Sequence, residues 1–328
     1  MFCHSRMTKN LLILVAAVML AGSVHASDWK KLSPSKSPSA RAYPAMAYDP
    51  VSKKVVLFGG FGASSYLNDT WTFDGATWQH VKTAKSPGAR NGASMAFDKR
   101  SQKLVMFGGF AGTTRFLNDT WLWDGATSTW TQVQMKPAPP KLTGVMSFTD
   151  SQSGSAMMFG GYNRLKPAQF SGSTWRWTGT SWKKLNPSTN PYGRAWGVAA
   201  FDPVRKNVVL ASGVNDTVRT DNTWTWDGAD WTQQFPSVQV GAIQGAASTF
   251  DPAVNAVVIF GGFTNQETND TWAWDGTNWA TMNPTKLPPV REGAGMAYDS
   301  NSHQTLIFGG LNYGTGTVMG DTWQLVGR

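Results

Sequence analysis

Six times along its length the chain repeats an apolar run closed by two glycines, and this limits its fold more than any local motif does. The copies are Leu57-Phe58-Gly59-Gly60, Met106-Phe107-Gly108-Gly109, Met158-Phe159-Gly160-Gly161, Ile259-Phe260-Gly261-Gly262 and Ile307-Phe308-Gly309-Gly310, with Leu210-Ala211-Ser212-Gly213 as a degenerate member, set 48 to 52 residues apart. A Thr-Trp pair follows each, at Thr70-Trp71, Thr120-Trp121, Thr174-Trp175, Thr223-Trp224, Thr271-Trp272 and Thr322-Trp323. Six copies of both anchors define six units. A unit this small buries its apolar face only by packing on its neighbours.

Each unit reads as four short β-rich runs, strands A to D, which in the first unit fall at 45–48, 55–58, 70–73 and 77–81. Asp49-Pro50, Asp202-Pro203 and Asp251-Pro252 between A and B, and Asp74-Gly75, Asp124-Gly125, Asp227-Gly228 and Asp275-Gly276 between C and D, are turn chemistry. Four antiparallel strands per unit, with no helical pattern between units, specify an all-β protein, a six-bladed β-propeller. The last unit stops after its strand C, at Asp321-Thr322-Trp323-Gln324-Leu325, whereas Asp28-Trp29-Lys30-Lys31-Leu32 matches D strands such as Ser181-Trp182-Lys183-Lys184-Leu185. The N-terminal strand is therefore expected to close the last blade, which hides an otherwise open pairing edge. Of the 17 tryptophans all but Trp196 fall at repeated C or D positions, where they would pack between blades.

The double glycine after strand B, the tryptophan of strand C and the tryptophan opening strand D resemble the marks of the kelch-repeat family over residues 29–326. WD propellers have units of roughly 40 to 45 residues that end in Trp-Asp. Here Trp123-Asp124, Trp226-Asp227 and Trp274-Asp275 precede the C–D turn instead, so the phase is that of kelch.

Arg6 and Lys9, an apolar run at 11–21, and Val24-His25-Ala26 before Ser27 form the pattern of a secretory signal peptide over 1–26, leaving 27–328 as the propeller. The apolar run is shorter than the roughly 18 residues that a membrane span needs. Cys3 lies in the leader, so the exported chain would carry no thiolate, and the formal charge of +9 falls by the two cations Arg6 and Lys9. That excess favours anionic partners, but the basic residues are scattered rather than striped, which argues against nucleic acid. The expectation is a secreted, periplasmic or extracellular monomer without membrane span, metal or cofactor.

The D–A and B–C connections emerge on one face of the disc. The B–C loops are long and varied, at 61–68, 110–118, 162–172, 214–222, 263–269 and 311–319, and binding concentrates on such loops. Eight residues before each strand A aspartate stand Arg41, Arg90, Leu142, Arg194, Ile243 and Arg291. In kelch proteins that hold partner peptides, arginines at the matching place ring the channel mouth, so the resemblance implies a cationic rim of Arg41, Arg90, Arg194 and Arg291. Their forks suit carboxylate or phosphate, and equally suit bracing neighbouring loops. Two positions on stand Tyr43, Gly92, Gly144, Trp196, Gly245 and Gly293, of which Tyr43 and Trp196 offer stacking faces for a sugar or plug the channel. The Asn-Asp-Thr sites at Asn68, Asn118, Asn215 and Asn269 match a glycosylation pattern, but three of them belong to the repeat, and they read as loop and strand-entry chemistry.

The resemblance extends to the propeller of galactose oxidase, but the copper chemistry of that enzyme needs a cysteine crosslinked to tyrosine and histidine ligands. Only His80 and His303 remain after the leader, far apart in the repeat, so a copper radical oxidase is rejected. The sialic acid mutarotase of bacteria is another kelch relative, in which glutamate and arginine are implied in proton transfer and sugar binding. Glu267, in a B–C loop, and Glu292, next to Arg291, are the weak catalytic candidates here. The sequence thus favours a secreted binding module for a protein or for an anionic or carbohydrate ligand, with a sugar-modifying enzyme of the mutarotase type as the alternative. A buried glutamate of raised pKa at the mouth would discriminate the two.

Overall fold

The computed structural model describes residues 27–327 except 151, 165–168 and 217–218; the leader expected at 1–26 lies outside these. The described strands form six four-stranded antiparallel sheets. In the first, Ala45–Asp49, Lys54–Phe61, Tyr66–Phe73 and Trp78–Val81 pair in chain order. Strand A of every blade touches strand A of the next around the whole ring, so the A strands surround the axis. The sixth blade comprises Gly295–Asp299, Gln304–Asn312, Thr317–Gly327 and then Ser27–Lys31, with Trp29 opposite Leu325, and so is closed by the N-terminal strand.

The double glycine has a steric cause. Both residues take positive φ, as at Gly59 (62°) and Gly60 (106°), and the B–C pairing shifts register between Phe58 and Gly60. A Cβ on Gly59 would stand 2.7 Å from the carbonyl oxygen of Arg90 in the next blade, closer than carbon and oxygen pack. In the degenerate copy Ser212 adopts φ 58°, and its hydroxyl donates to the Gly241 carbonyl at 2.9 Å.

The Thr-Trp anchor is explained by the neighbouring blade. The indole N–H of each D-strand tryptophan donates to the hydroxyl of the Thr-Trp threonine on strand C of the preceding blade: Trp78 to Thr322, Trp130 to Thr70, Trp182 to Thr120, Trp231 to Thr174, Trp279 to Thr223 and Trp29 to Thr271, all at 2.8–3.0 Å. These bonds run round the ring without a gap, and all of them are buried. A fully buried tryptophan stabilises only if its polar edge finds a partner. One threonine per blade meets that condition and fixes blade-to-blade register.

Three B–C connections expected to be loops are largely strand. In the first blade pairing continues through Gly60–Leu67 and Phe61–Tyr66, and similar extensions occur in the second and sixth blades. Aromatic packing across the tip holds the extension, with Phe61 and Tyr66 at 5.1 Å between ring centroids.

Candidate site at the mouth of the propeller

The site is built on the D–A segments, each of which makes a single antiparallel bridge to the residue after the double glycine: Ala42 to Phe61, Asn91 to Phe110, Thr143 to Tyr162, Ala195 to Val214, Gln244 to Phe263 and Glu292 to Leu311. The next residues, Tyr43, Gly92, Gly144, Trp196, Gly245 and Gly293, form a closed circle of backbone hydrogen bonds. Each amide donates to the carbonyl of the previous blade's member at 2.6–3.0 Å. All six have φ between 53° and 66°. Glycine adopts this conformation freely, whereas Tyr43 and Trp196, on opposite sides of the circle, do so at a cost of about 1 kcal/mol each. Their side chains lie over neighbouring glycines. A Cβ on Gly293 would be 2.8 Å from the Tyr43 ring, and one on Gly144 would be 2.7 Å from the Trp196 indole nitrogen. The circle and its two aromatics floor a cavity of about 530 Å3 on the axis, open toward the D–A and B–C face.

The four arginines expected at the rim are placed beneath it. Arg41, Arg194 and Arg291 have no exposed surface and Arg90 has 2%. Arg41 meets Asp69 through both terminal nitrogens at 2.6 and 2.9 Å, Arg90 likewise holds Asp119, and Arg291 holds Asp321. Each also donates to the carbonyl of a double-glycine residue, Gly59, Gly108 or Gly309. The aspartate in turn accepts from the strand C indole, as Asp69 does from Trp71 at 2.7 Å. Despite burial, the arginine holds the pKa of each of these aspartates below the ordinary carboxylate range. With their forks occupied by the protein, these arginines brace loops, and the cationic rim is replaced by a buried layer of ion pairs. Arg194 is the exception. It faces Asn222 at 2.6 Å, its Nη2 is unpartnered, and burial lowers its pKa to about 10.

The cavity's polar lining comes instead from the residue between the arginine and circle positions: Asn91, Thr143, Gln244 and Glu292. In the two blades with an aromatic in the circle this position is alanine, Ala42 before Tyr43 and Ala195 before Trp196. The sequence reading missed Asn91, Thr143 and Gln244. The available signal was a position that varies in polarity from unit to unit between two restricted neighbours. Aromatic walls complete the cavity: Phe110, Phe116, Tyr162 and Trp196 are in successive ring contact, with Tyr162 and Trp196 at 5.4 Å, and Phe263 lies on another side.

Glu292 and Glu267 are brought together here. Glu292 is 2% exposed, and its carboxylate is approached by Tyr43, Gln244 and Tyr313. Its Oε2 is buried without a hydrogen-bond partner. Burial, with a further push from the charge of Glu267, raises its pKa above the usual glutamate value, and burial beside Glu292 raises the Tyr43 and Tyr313 phenols as well. Glu267 accepts from the Tyr313 amide at 2.9 Å. Arg164 stands exposed at the lip. His80 lies on the first D strand beside Trp71, and His303 lies in the last A–B turn near the Tyr298 hydroxyl, so the structure does not bring them together. Among the described residues no three His, Cys, Asp or Glu side chains form a metal-binding group, and no helix is long and apolar enough to cross a membrane.

A solved structure titled "Structure of YjhT" is similar to this chain, with a TM-score of 0.69 at 18% sequence identity, covering 88% of this chain and 95% of that one. At that identity the likeness shows the fold. No curated protein matches the sequence. A family model described as the KLHDC2/KLHL20/DRC7 Kelch-repeats domain matches residues 16–213, more than half of the chain. The six phased double-glycine and tryptophan anchors extend the same pattern to the closing strand, and the chain belongs to the kelch-repeat family.

Proposed function

We propose that the protein is an exported kelch propeller that binds a small hydroxylated ligand with an apolar face, of the sugar-ring class, in the mouth cavity. The observation that carries this reading is the cavity's composition: side-chain donors and acceptors at one repeat position, Asn91, Thr143, Gln244 and Glu292, beside the ring faces of Tyr162 and Trp196. Aromatic faces take the C–H side of a sugar while amides, hydroxyls and carboxylates take its hydroxyls. The paired arginines offer nothing to an anion. A screen of monosaccharides by ligand-observed NMR tests the reading. Binding should be lost in Trp196→Ala and kept in Arg90→Lys, with folding checked in both. Binding that survives Trp196→Ala, or appears only with an exported protein partner, overturns it.

Proton transfer to the bound sugar is the second reading, favoured by one feature: Glu292 is buried with a raised pKa, a shift in the direction that general acid catalysis by a carboxyl needs. Anomer exchange of a bound sugar, followed by NMR, should then fall by about 100-fold in Glu292→Gln. An unchanged exchange rate leaves the protein a binder.

A further inference from the structure

Two carboxyl groups meet at the mouth cavity without an arginine or lysine gripping either among the described residues. Glu267 lies close enough for its charge to act on Glu292, and neither forms an ion pair with a described residue. Glu292 is 98% removed from solvent and still leaves Oε2 without a donor. The half-buried carboxylates Asp69, Asp119 and Asp321, 15–25% exposed, all have a two-pronged arginine. An unpaired buried carboxylate costs far more than a paired one, so a native chain retains it where something else supplies the donor. Tyr43 and Tyr313 give it phenolic neighbours and no positive charge.

The walls around it also suit a cation. Phe110, Phe116, Tyr162 and Trp196 turn aromatic surface toward the cavity, and ring faces attract ammonium groups. The protein already uses one such wall in this way. Arg219 places its guanidinium over the Phe263 ring, 4.9 Å from the centroid.

We infer that the ligand carries an ammonium group, which sits against the Glu292 carboxyl group with Glu267 behind it while the ligand's carbon body packs on the Tyr162–Trp196 wall. Resting on the sugar-ring reading, this specifies an amino sugar with a free amine. The ammonium supplies the positive charge that the Glu292 carboxyl lacks, and its arrival favours the ionised carboxylate.

The test is titration calorimetry on the full chain with matched pairs, glucosamine against glucose, galactosamine against galactose and mannosamine against mannose, with N-acetylglucosamine and choline as further probes. At least one amine should bind about tenfold tighter than its hydroxyl counterpart. N-acetylation should remove the advantage, and Glu292→Gln should reduce it to about twofold or less. Trp196→Ala should weaken both members of a pair alike. The preference should grow as pH rises through the titration of Glu292, whose facing groups are Glu267, Tyr43, Tyr313 and Arg164, and heats measured in two buffers should show proton release. Neutral sugars binding as well as their amines would overturn the inference and leave the sugar-ring reading standing. Choline binding with no sugar of either series would overturn the ring and keep the cation. An amine preference that survives both Glu292→Gln and Glu267→Gln would overturn the proposed seat.

Discussion

Two layers of the same face hold carboxylates drawn partly or wholly out of water and treat them in opposite ways. Beneath the mouth, Asp69, Asp119 and Asp321 are each gripped by an arginine and an indole, and their pKa values are lowered. At the mouth, Glu292 is buried more deeply and has no ion-pair partner among the described residues, and its pKa is raised. The half-buried aspartates lose water too, and the arginine partner is what turns their pKa shift downward where the burial of Glu292 turns it upward.

The largest effect should come from unmatching the lower layer. Arg90→Ala leaves Asp119 half-buried beside Trp121 with its cation gone and removes the bond to the Gly108 carbonyl, and should cost roughly 2 kcal/mol, read as a lowered denaturant midpoint. The pair also shapes the acid limb. A depressed folded pKa contributes stability that is complete above the unfolded carboxylate value and is lost as pH falls through the folded one. Stability of Arg90→Ala should accordingly fall less steeply between neutral and acid pH than that of the parent. An equal midpoint in both proteins would mean that the buried fork contributes nothing.

The fourth blade allows the opposite experiment, because there the match is incomplete. Arg194 Nη2 and the Trp224 indole N–H are both buried without partners, on either side of Asn222. An aspartate at 222 would present the second oxygen that Asp69 and Asp119 use for both donors. Asn222→Asp should stabilise the chain by about 1.5 kcal/mol, and the guanidinium of Arg194 should titrate above its present value of about 10. A loss of stability would show that the fourth blade cannot adopt the geometry of the first and second.

The architecture was legible because its causes repeat. Each double glycine answers one backbone approach, each D-strand tryptophan answers one threonine, and six copies turn weak signals into a phased one. The site was less legible for the same reason. Arg41, Arg90 and Arg291 stood out by recurring, and recurrence marks the scaffold: their aspartates recur with them, in the residue before each Thr-Trp pair. Leu142 and Ile243, where the arginine is missing, show a brace replaced by packing. Asn91, Thr143, Gln244 and Glu292 were obscured by differing from one another, and their shared direction is set by a bridge to a residue about 19 positions away that only the folded blade makes. Tyr43 and Trp196 were visible as exceptions to glycine, whereas the circle of hydrogen bonds that forces their positive φ was not.

The smallest expected change is the most diagnostic for the mouth. For Glu292 the folded pKa lies above the unfolded one, so the native state holds the proton more tightly. Its contribution is then most favourable below the unfolded glutamate value, and stability is lost as pH rises through the raised folded value. Glu292→Gln keeps the shape and removes the titration. The variant should be more stable than the parent by about 1 kcal/mol at neutral pH, and the advantage should shrink to nothing as pH falls below the ordinary glutamate range, as chemical denaturation across pH would show. Stability lost on removing an unpaired buried carboxylate, at any pH, would mean that Tyr43, Gln244 and Tyr313 already satisfy it. The mouth would then be a second brace, and the contrast between the two layers would disappear.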